Sequence, residues 1–210
     1  MKREEKKQKM QRKIMDSALA EFSNQGYGAS SINTICAAEN ISKGIVYHYF
    51  ETKDDLYLSC VEECFRKLAD YIRSNISKED CSIENHLRNY FSLRTLFFQE
   101  HPIYQRIFFE AVVAPPAHLK AEIQRRKKDF DVLNTQILRQ LLTPAHLRSD
   151  ISIDQIIEIF CQFQDFINTR YQMADLNAHA FEVREADCLR TLSVLLYGVI
   201  QRKEGCQDEN

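Results

Sequence analysis

The stretch Ser42-Lys43-Gly44-Ile45-Val46-Tyr47-His48-Tyr49-Phe50 is chemically unusual for a segment of about two helical turns. Val46 and Phe50 lie one turn apart and account for the burial that so short a helix needs. Lys43, Tyr47 and His48 are then left to point outward. Gly44, near the N-terminal end, lowers helix propensity and lets another body approach the backbone closely. Hydroxyl, phenol, imidazole and ammonium groups are the donors that hold phosphate oxygens, as are capped helix N-termini, and a lysine also reaches guanine acceptors in the major groove. The chemistry that suits this pattern is recognition of DNA.

Short elements must position these groups. Met15, Ala18, Leu19 and Phe22 repeat at helical spacing, and Asn24-Gln25-Gly26 is a helix stop. Ser30 can cap a second, very short helix that turns Ile32, Ile35 and Cys36 inward, and Asn40 tolerates a left-handed turn after it. Ser42 caps the third helix, with Ile41 beside it. Thr52-Lys53-Asp54-Asp55 has capping-box character and opens a long fourth helix toward Arg73. Two short helices joined by a turn near Asn40, followed by a long helix, have the dimensions of a helix-turn-helix.

Beyond this point the chain reads as long amphipathic helices without strand alternation, so the fold class is all-α. The periodicity predicts helices over roughly Ile83–Gln99, Pro102–Val113, Pro116–Leu142, Asp154–Met173 and Ala186–Gln201. The fourth carries an apolar stripe widened by Ile159 and Phe166, and the last is apolar over most of its circumference. That width fits an oligomer interface, or a central helix packed on all sides by its own chain. Seventeen of the 22 Phe and Tyr lie beyond residue 53, enough to line a ligand cavity or simply to fill a core.

Composition bounds these readings. The chain has 210 residues, 44% hydrophobic and 28% charged, with five Gly and four Pro, which excludes collagen-like, disordered and low-complexity classes. The net charge of -2 conceals an asymmetry: residues 1–53 hold nine Lys and Arg against six Asp and Glu, for +3, and the remainder carries -5. Seven of those nine basic residues fall in the first thirteen, where a solvated tail is an ordinary explanation. No apolar stretch of signal-peptide or membrane-spanning length is present, which predicts a cytoplasmic protein. The seven Cys, odd in number and without a C-x-x-C, read as reduced thiols. Cys60 and Cys64 share a helix face, but two ligands do not complete a metal site and packing accounts for them. No cofactor is indicated.

At the segments Gly26-Tyr27-Gly28-Ala29-Ser30-Ser31, Ile35-Cys36-Ala37-Ala38 and Ile41 through Leu56, the sequence resembles the DNA-binding domain of the TetR family of transcriptional regulators. The resemblance covers residues 8–68, and beyond them extends only to the family's general helical plan. It implies a DNA-binding domain over 8–68 and a helical ligand-binding and dimerisation domain over 69–205. It implies a homodimer on a near-palindromic double-stranded operator, acting as a repressor and released when a small molecule enters the C-terminal domain. Carried onto this sequence, Ser31, Ser42, Tyr47, His48 and Lys53 would contact phosphate, and Lys43 and Gly44 would lie nearest base edges. Asn40 stands where the family commonly has Gly. Ile45 replaces a frequent small polar residue and would favour thymine methyl contacts. Beside such a domain, the basic N-terminal tail becomes a candidate for nonspecific phosphate contact.

Tyr90, Arg94, Tyr104, Gln162, Asp165 and Asn168 are the polar candidates for a ligand site. A helical carrier or interaction protein with a degenerate helix-turn-helix is the alternative, opposed by the joint presence of Lys43, Tyr47, His48 and Lys53. An enzyme has less support: the six His are scattered without H-x-x-x-H spacing, and no nucleophile-elbow, phosphate-loop or dinucleotide motif occurs.

Overall fold

The computed structural model describes residues 2–76, 82–143, 145, 147, 149–172 and 180–199. Helix α1 spans Lys2–Ala29 and breaks at Gly26, where φ is 74° and ψ is 171°. A left-handed φ of this kind favours glycine, and it converts the expected helix stop into a sharp corner. Upstream, Ile14, Met15, Ala18, Leu19 and Phe22 form the buried face. Helix α2 spans Ile32–Ala38 and α3 spans Lys43–Tyr49. Asn40 between them has φ 52°, the left-handed turn expected there.

The cap of α2 falls one residue later than expected. Ser31 accepts from the Thr34 amide at 3.1 Å, whereas Ser30 is buried and turns its hydroxyl to the carbonyls of Gly26 and Glu21. The break at Gly26 leaves helix-end carbonyls in need of a donor, and Ser30 supplies it. Helix α4, Lys53–Asn75, opens with a reciprocal capping box: Asp55 N donates to Thr52 Oγ1 at 3.0 Å, and Thr52 N donates to Asp55 Oδ2 at 3.0 Å.

The later helices are α5 (Ile83–Glu100), α6 (Gln105–Val113), α7 (Lys120–Arg126), α8 (Lys128–Leu142), α9 (Ile153–Gln172) and α10 (Ala180–Val199), with short 3-10 turns at Pro102–Tyr104 and Ala117–Leu119. The single helix expected over Pro116–Leu142 is two helices, broken at Lys127 (φ -89°, ψ 0°). Arg126 pairs with Glu62 on α4 while Lys127 pairs with Asp131 one turn ahead, so neighbouring cations are drawn to different helices. Helix α10 starts earlier than its apolar pattern suggests, because Phe181, Arg184 and Glu185 are all buried. The expected ends at Met173 and Gln201 lie outside the described residues. No β-strand occurs among the described residues, and none of their helices is long and apolar enough to cross a membrane.

Two compact units result. The first comprises residues 1–75 and 93–131, so the helix-turn-helix shares its unit with α6 and α7. Its core includes Phe108, whose ring meets those of Phe65, Phe98 and Phe130, with Phe65 also against Phe130. The second comprises residues 76–92 and 132–210. Here α9 packs on α10, burying Ile156, Phe160, Ile167, Phe181 and Leu196, while Ile159, Phe166, Val183 and Val194 stay exposed.

Candidate nucleic-acid interface

Helix α3 is anchored by few groups. Val46 is fully buried, Phe50 is buried at its C-terminal end, and Ser42 caps its N-terminus by accepting from the Ile45 amide at 3.4 Å. Ser42, Lys43, Gly44, Ile45, Tyr47 and His48 are exposed. Tyr47 is 48% exposed, so its phenol is a surface group, whereas Tyr49 is half-covered with its ring 5.3 Å from that of His48. A Cβ at Gly44 would meet nothing within 4 Å. The chain's own packing therefore gives no reason for glycine there.

The flanking candidates also sit at helix starts. Ser31 is part-exposed at the head of α2, its hydroxyl 2.8 Å from that of Thr34. Lys53 donates to the Ser30 carbonyl at 2.8 Å and lies 4.3 Å from the centre of the Tyr27 ring. One of its three donors thus ties the start of α4 to the corner between α1 and α2.

A second set of residues, which the sequence reading missed, fixes this corner. Arg106 on α6 donates to the carbonyls of Asn24 and Gln25 at 2.7 and 3.1 Å. Glu110, one turn on, accepts from the Tyr27 amide at 3.0 and 3.1 Å and from the Tyr57 hydroxyl at 3.1 Å. The bare Gly26 Cα lies between them, and a Cβ there would come within 3.0 Å of Arg106 Nη2. One helix thereby completes both sides of the break: a cation on the carbonyls that end α1, an anion on the amide that follows. The Tyr27 hydroxyl donates to Asp54 and lies 3.2 Å from His118 Nε2, and burial with that hydrogen bond pushes its pKa up to about 12. On the opposite side, Arg12 donates to Glu63 at 2.6 Å and Tyr104 donates to the same carboxylate at 2.6 Å. Burial alone would raise the Glu63 pKa, but these two donors outweigh it and hold the carboxyl below its ordinary value. A glutamate between Cys60 and Cys64 on the inner face of α4 was the available signal. Both thiols are buried, which pushes their pKa values up, and no group of three or more metal-ligating side chains occurs among the described residues.

The six ligand-site candidates are divided. Arg94 and Tyr104 belong to the first unit; Tyr90, Gln162, Asp165 and Asn168 belong to the second. Arg94 is buried with its guanidinium 5.4 and 5.8 Å from the Phe108 and Phe130 ring centres, and Tyr104 gives its hydroxyl to Glu63. Tyr90 donates to Asn134 at 2.6 Å. Gln162 and Asp165 are exposed, and Asn168 accepts from buried Arg184 at 2.6 and 3.1 Å.

Residues 14–60 match the family model described as bacterial regulatory proteins, tetR family. Among curated proteins, the chain is 27% identical over 141 residues to the biofilm operon icaADBC HTH-type negative transcriptional regulator IcaR of Staphylococcus epidermidis, covering 67% of this chain and 74% of that one. The IcaR of Staphylococcus aureus (strain Newman) is 35% identical over 75 residues, so that alignment spans 36% of this chain and 40% of the relative. Among solved structures, a tetR-family transcription regulator from Shewanella sp. PV-4 superposes with TM-score 0.62 at 18% identity, covering 92% of this chain and 99% of that one. The fatty acid degradation regulator FadR of Bacillus halodurans gives 0.65 at 17% identity, covering 87% and 94%. FadR of Bacillus subtilis, solved in complex with stearoyl-CoA, gives 0.64 at 17% identity, covering 86% and 96%. The helix-turn-helix is thus similar in sequence to that of the tetR-family bacterial regulatory proteins, and the chain shares its fold with solved regulators of that kind.

Proposed function

We propose that this protein is a sequence-specific DNA-binding transcriptional regulator: a homodimeric repressor that leaves a near-palindromic operator when a small molecule binds it. The observation that carries the reading is the outer face of α3. Lys43, Gly44, Tyr47 and His48 are exposed around a single buried anchor, Val46, and the side chains of Lys43, Tyr47 and His48 make no hydrogen bond or ion pair among the described residues. Lys43 and Gly44 are assigned to base edges; Ser31, Ser42, Tyr47, His48 and Lys53 are assigned to phosphates. Residues 8–68 form the DNA-binding domain and 69–205 the ligand-binding and dimerisation part. The negative regulators among the relatives support repression, and the stearoyl-CoA complex of a protein with this fold supports control by a small molecule. Exposed Ile159, Phe166, Val183 and Val194 on α9 and α10 supply the apolar surface for a second copy.

A salt-titrated gel shift with DNA flanking the protein's own gene tests this reading. Retention is expected to fall steeply with salt, and Tyr47→Phe should weaken binding to all sequences alike. Lys43→Ala should in addition relax sequence preference, by about 1–3 kcal/mol at the base pair it meets. Failure to retain DNA at any salt would favour a carrier protein with a disused helix-turn-helix.

A further inference from the structure

A groove of about 1070 Å³ opens between the first turns of α1 and the outer face of α3. Lys6 and Lys7 stand in one wall; Ser42, Gly44, Ile45 and His48 stand in the other. Glu4 to Lys9 are all exposed, whereas the buried face of α1 begins only at Ile14. At 1.5 Å per residue this projects roughly 15 Å of helix beyond the core. Core packing does not explain such an extension, because among these turns only Met10 is partly covered.

The basic residues of α1 fall into two groups. Arg12 and Lys13 are committed within the fold, Arg12 to Asp16 and Glu63 and Lys13 to Glu39. Lys6 and Lys7 have no carboxylate partner among the described residues and face the groove that α3 also lines. Ammonium groups on one side of a groove and hydroxyl and imidazole groups on the other are matched to a polyanionic strand running between them.

We propose that this groove holds a phosphodiester strand of the operator, with Lys6 and Lys7 on its phosphates from the α1 side and Ser42 and His48 from the α3 side. The proposal rests on α3 being the recognition helix. It makes the start of α1 a second contact element, which extends the bound duplex beyond the base pairs that α3 meets. Lysines on phosphates add affinity and register without reading sequence. Glu4, in the same wall, opposes the strand.

The test uses the full-length protein and a duplex selected from random sequence by the wild type. Lys6→Ala with Lys7→Ala should reduce the slope of log K against log salt by about 2 per protomer, at unchanged base preference and unchanged melting temperature. Glu4→Gln should tighten binding. Neutral methylphosphonate linkages should locate the strand: at the phosphates that Lys6 and Lys7 meet they should weaken the wild type and leave the double-lysine variant unaffected, and at those that Ser42 and His48 meet they should weaken both. An unchanged salt slope, or the absence of any linkage that weakens the wild type and spares the double-lysine variant, would overturn the proposal. Lys43→Ala separates the two readings. If it relaxes sequence preference while the Lys6 and Lys7 changes do nothing, α3 remains the recognition helix and the groove proposal falls. If wild type selects no duplex, the regulator reading falls with it.

Discussion

The two units satisfy their surfaces in opposite ways. In the first, charged side chains are spent on bonds between distant parts of the chain: Arg12 and Tyr104 on Glu63, Arg106 on the end of α1, Glu110 on Tyr27 and Tyr57. Its exposed large hydrophobics are Ile45 and Tyr47 on α3, with Leu96 elsewhere. In the second unit, Phe166 is 62% and Val194 67% exposed, while buried Arg184 is bonded to buried Glu185 and to part-exposed Asn168. A unit whose exposed α3 face carries ammonium, imidazole and phenol groups suits a partner that is polar and charged. An apolar surface on a long helix pair suits a partner that is itself apolar, which is why DNA is assigned to the one and a second copy to the other.

The largest expected effect breaks the second half of that contrast. Phe166→Asp with Val194→Asp should convert the protein to a monomer by sedimentation, because apolar anchors at an interface are worth about 2 kcal/mol or more each. Operator affinity should then fall by about two orders of magnitude or more, since half-sites are no longer bound together. A variant that still sediments as a dimer would remove α9 and α10 from the interface. Next, Glu110→Ala strips the acceptor from the Tyr27 amide and the buried Tyr57 hydroxyl. About 2–3 kcal/mol should be lost, seen as a fall of roughly 5–10 °C in melting temperature, with DNA binding weakened alongside. Full DNA affinity with unchanged melting would show that the corner at Gly26 does not need α6.

The smallest effect is in the pH dependence. Glu63 is held below its ordinary pKa in the folded state, so its contribution is present above the unfolded carboxylate value of about 4.3 and lost as pH falls through the lower folded value. The stability gap between wild type and Glu63→Gln should therefore be largest near neutral pH and close in acid. A gap independent of pH would mean that Glu63 acts by shape alone.

Local signals carried most of the first unit. Asn40 in its left-handed turn, the Thr52–Asp55 box, Ser42 as a cap and Val46 as an anchor are each set by neighbours within four residues, so spacing exposes them. What escaped depends on residues far apart in the chain. Nothing near Arg106 or Glu110 indicates that they complete a helix end near residue 25, and the break at Lys127 has neither Gly nor Pro to mark it. Of the candidate interface, the exposure of Lys43, Tyr47 and His48 was legible because Val46 and Phe50 already account for the burial of so short a helix. Lys6 and Lys7 looked like part of a charged tail because their neighbour across the groove lies more than thirty residues away.

The dependence of Gly26 on Arg106 and Glu110 has a consequence for synthesis. The helix-turn-helix leaves the ribosome before α6 exists, at about 5–20 residues per second, and so waits a few seconds for the side chains that finish its first corner. Until then α1 ends in bare carbonyls and Tyr27 in a bare amide. A nascent chain that has not yet extended through Glu110 would hold its recognition helix on an open corner, so the ability to grip DNA would be acquired when the sixth helix emerges and not when the head itself has been made.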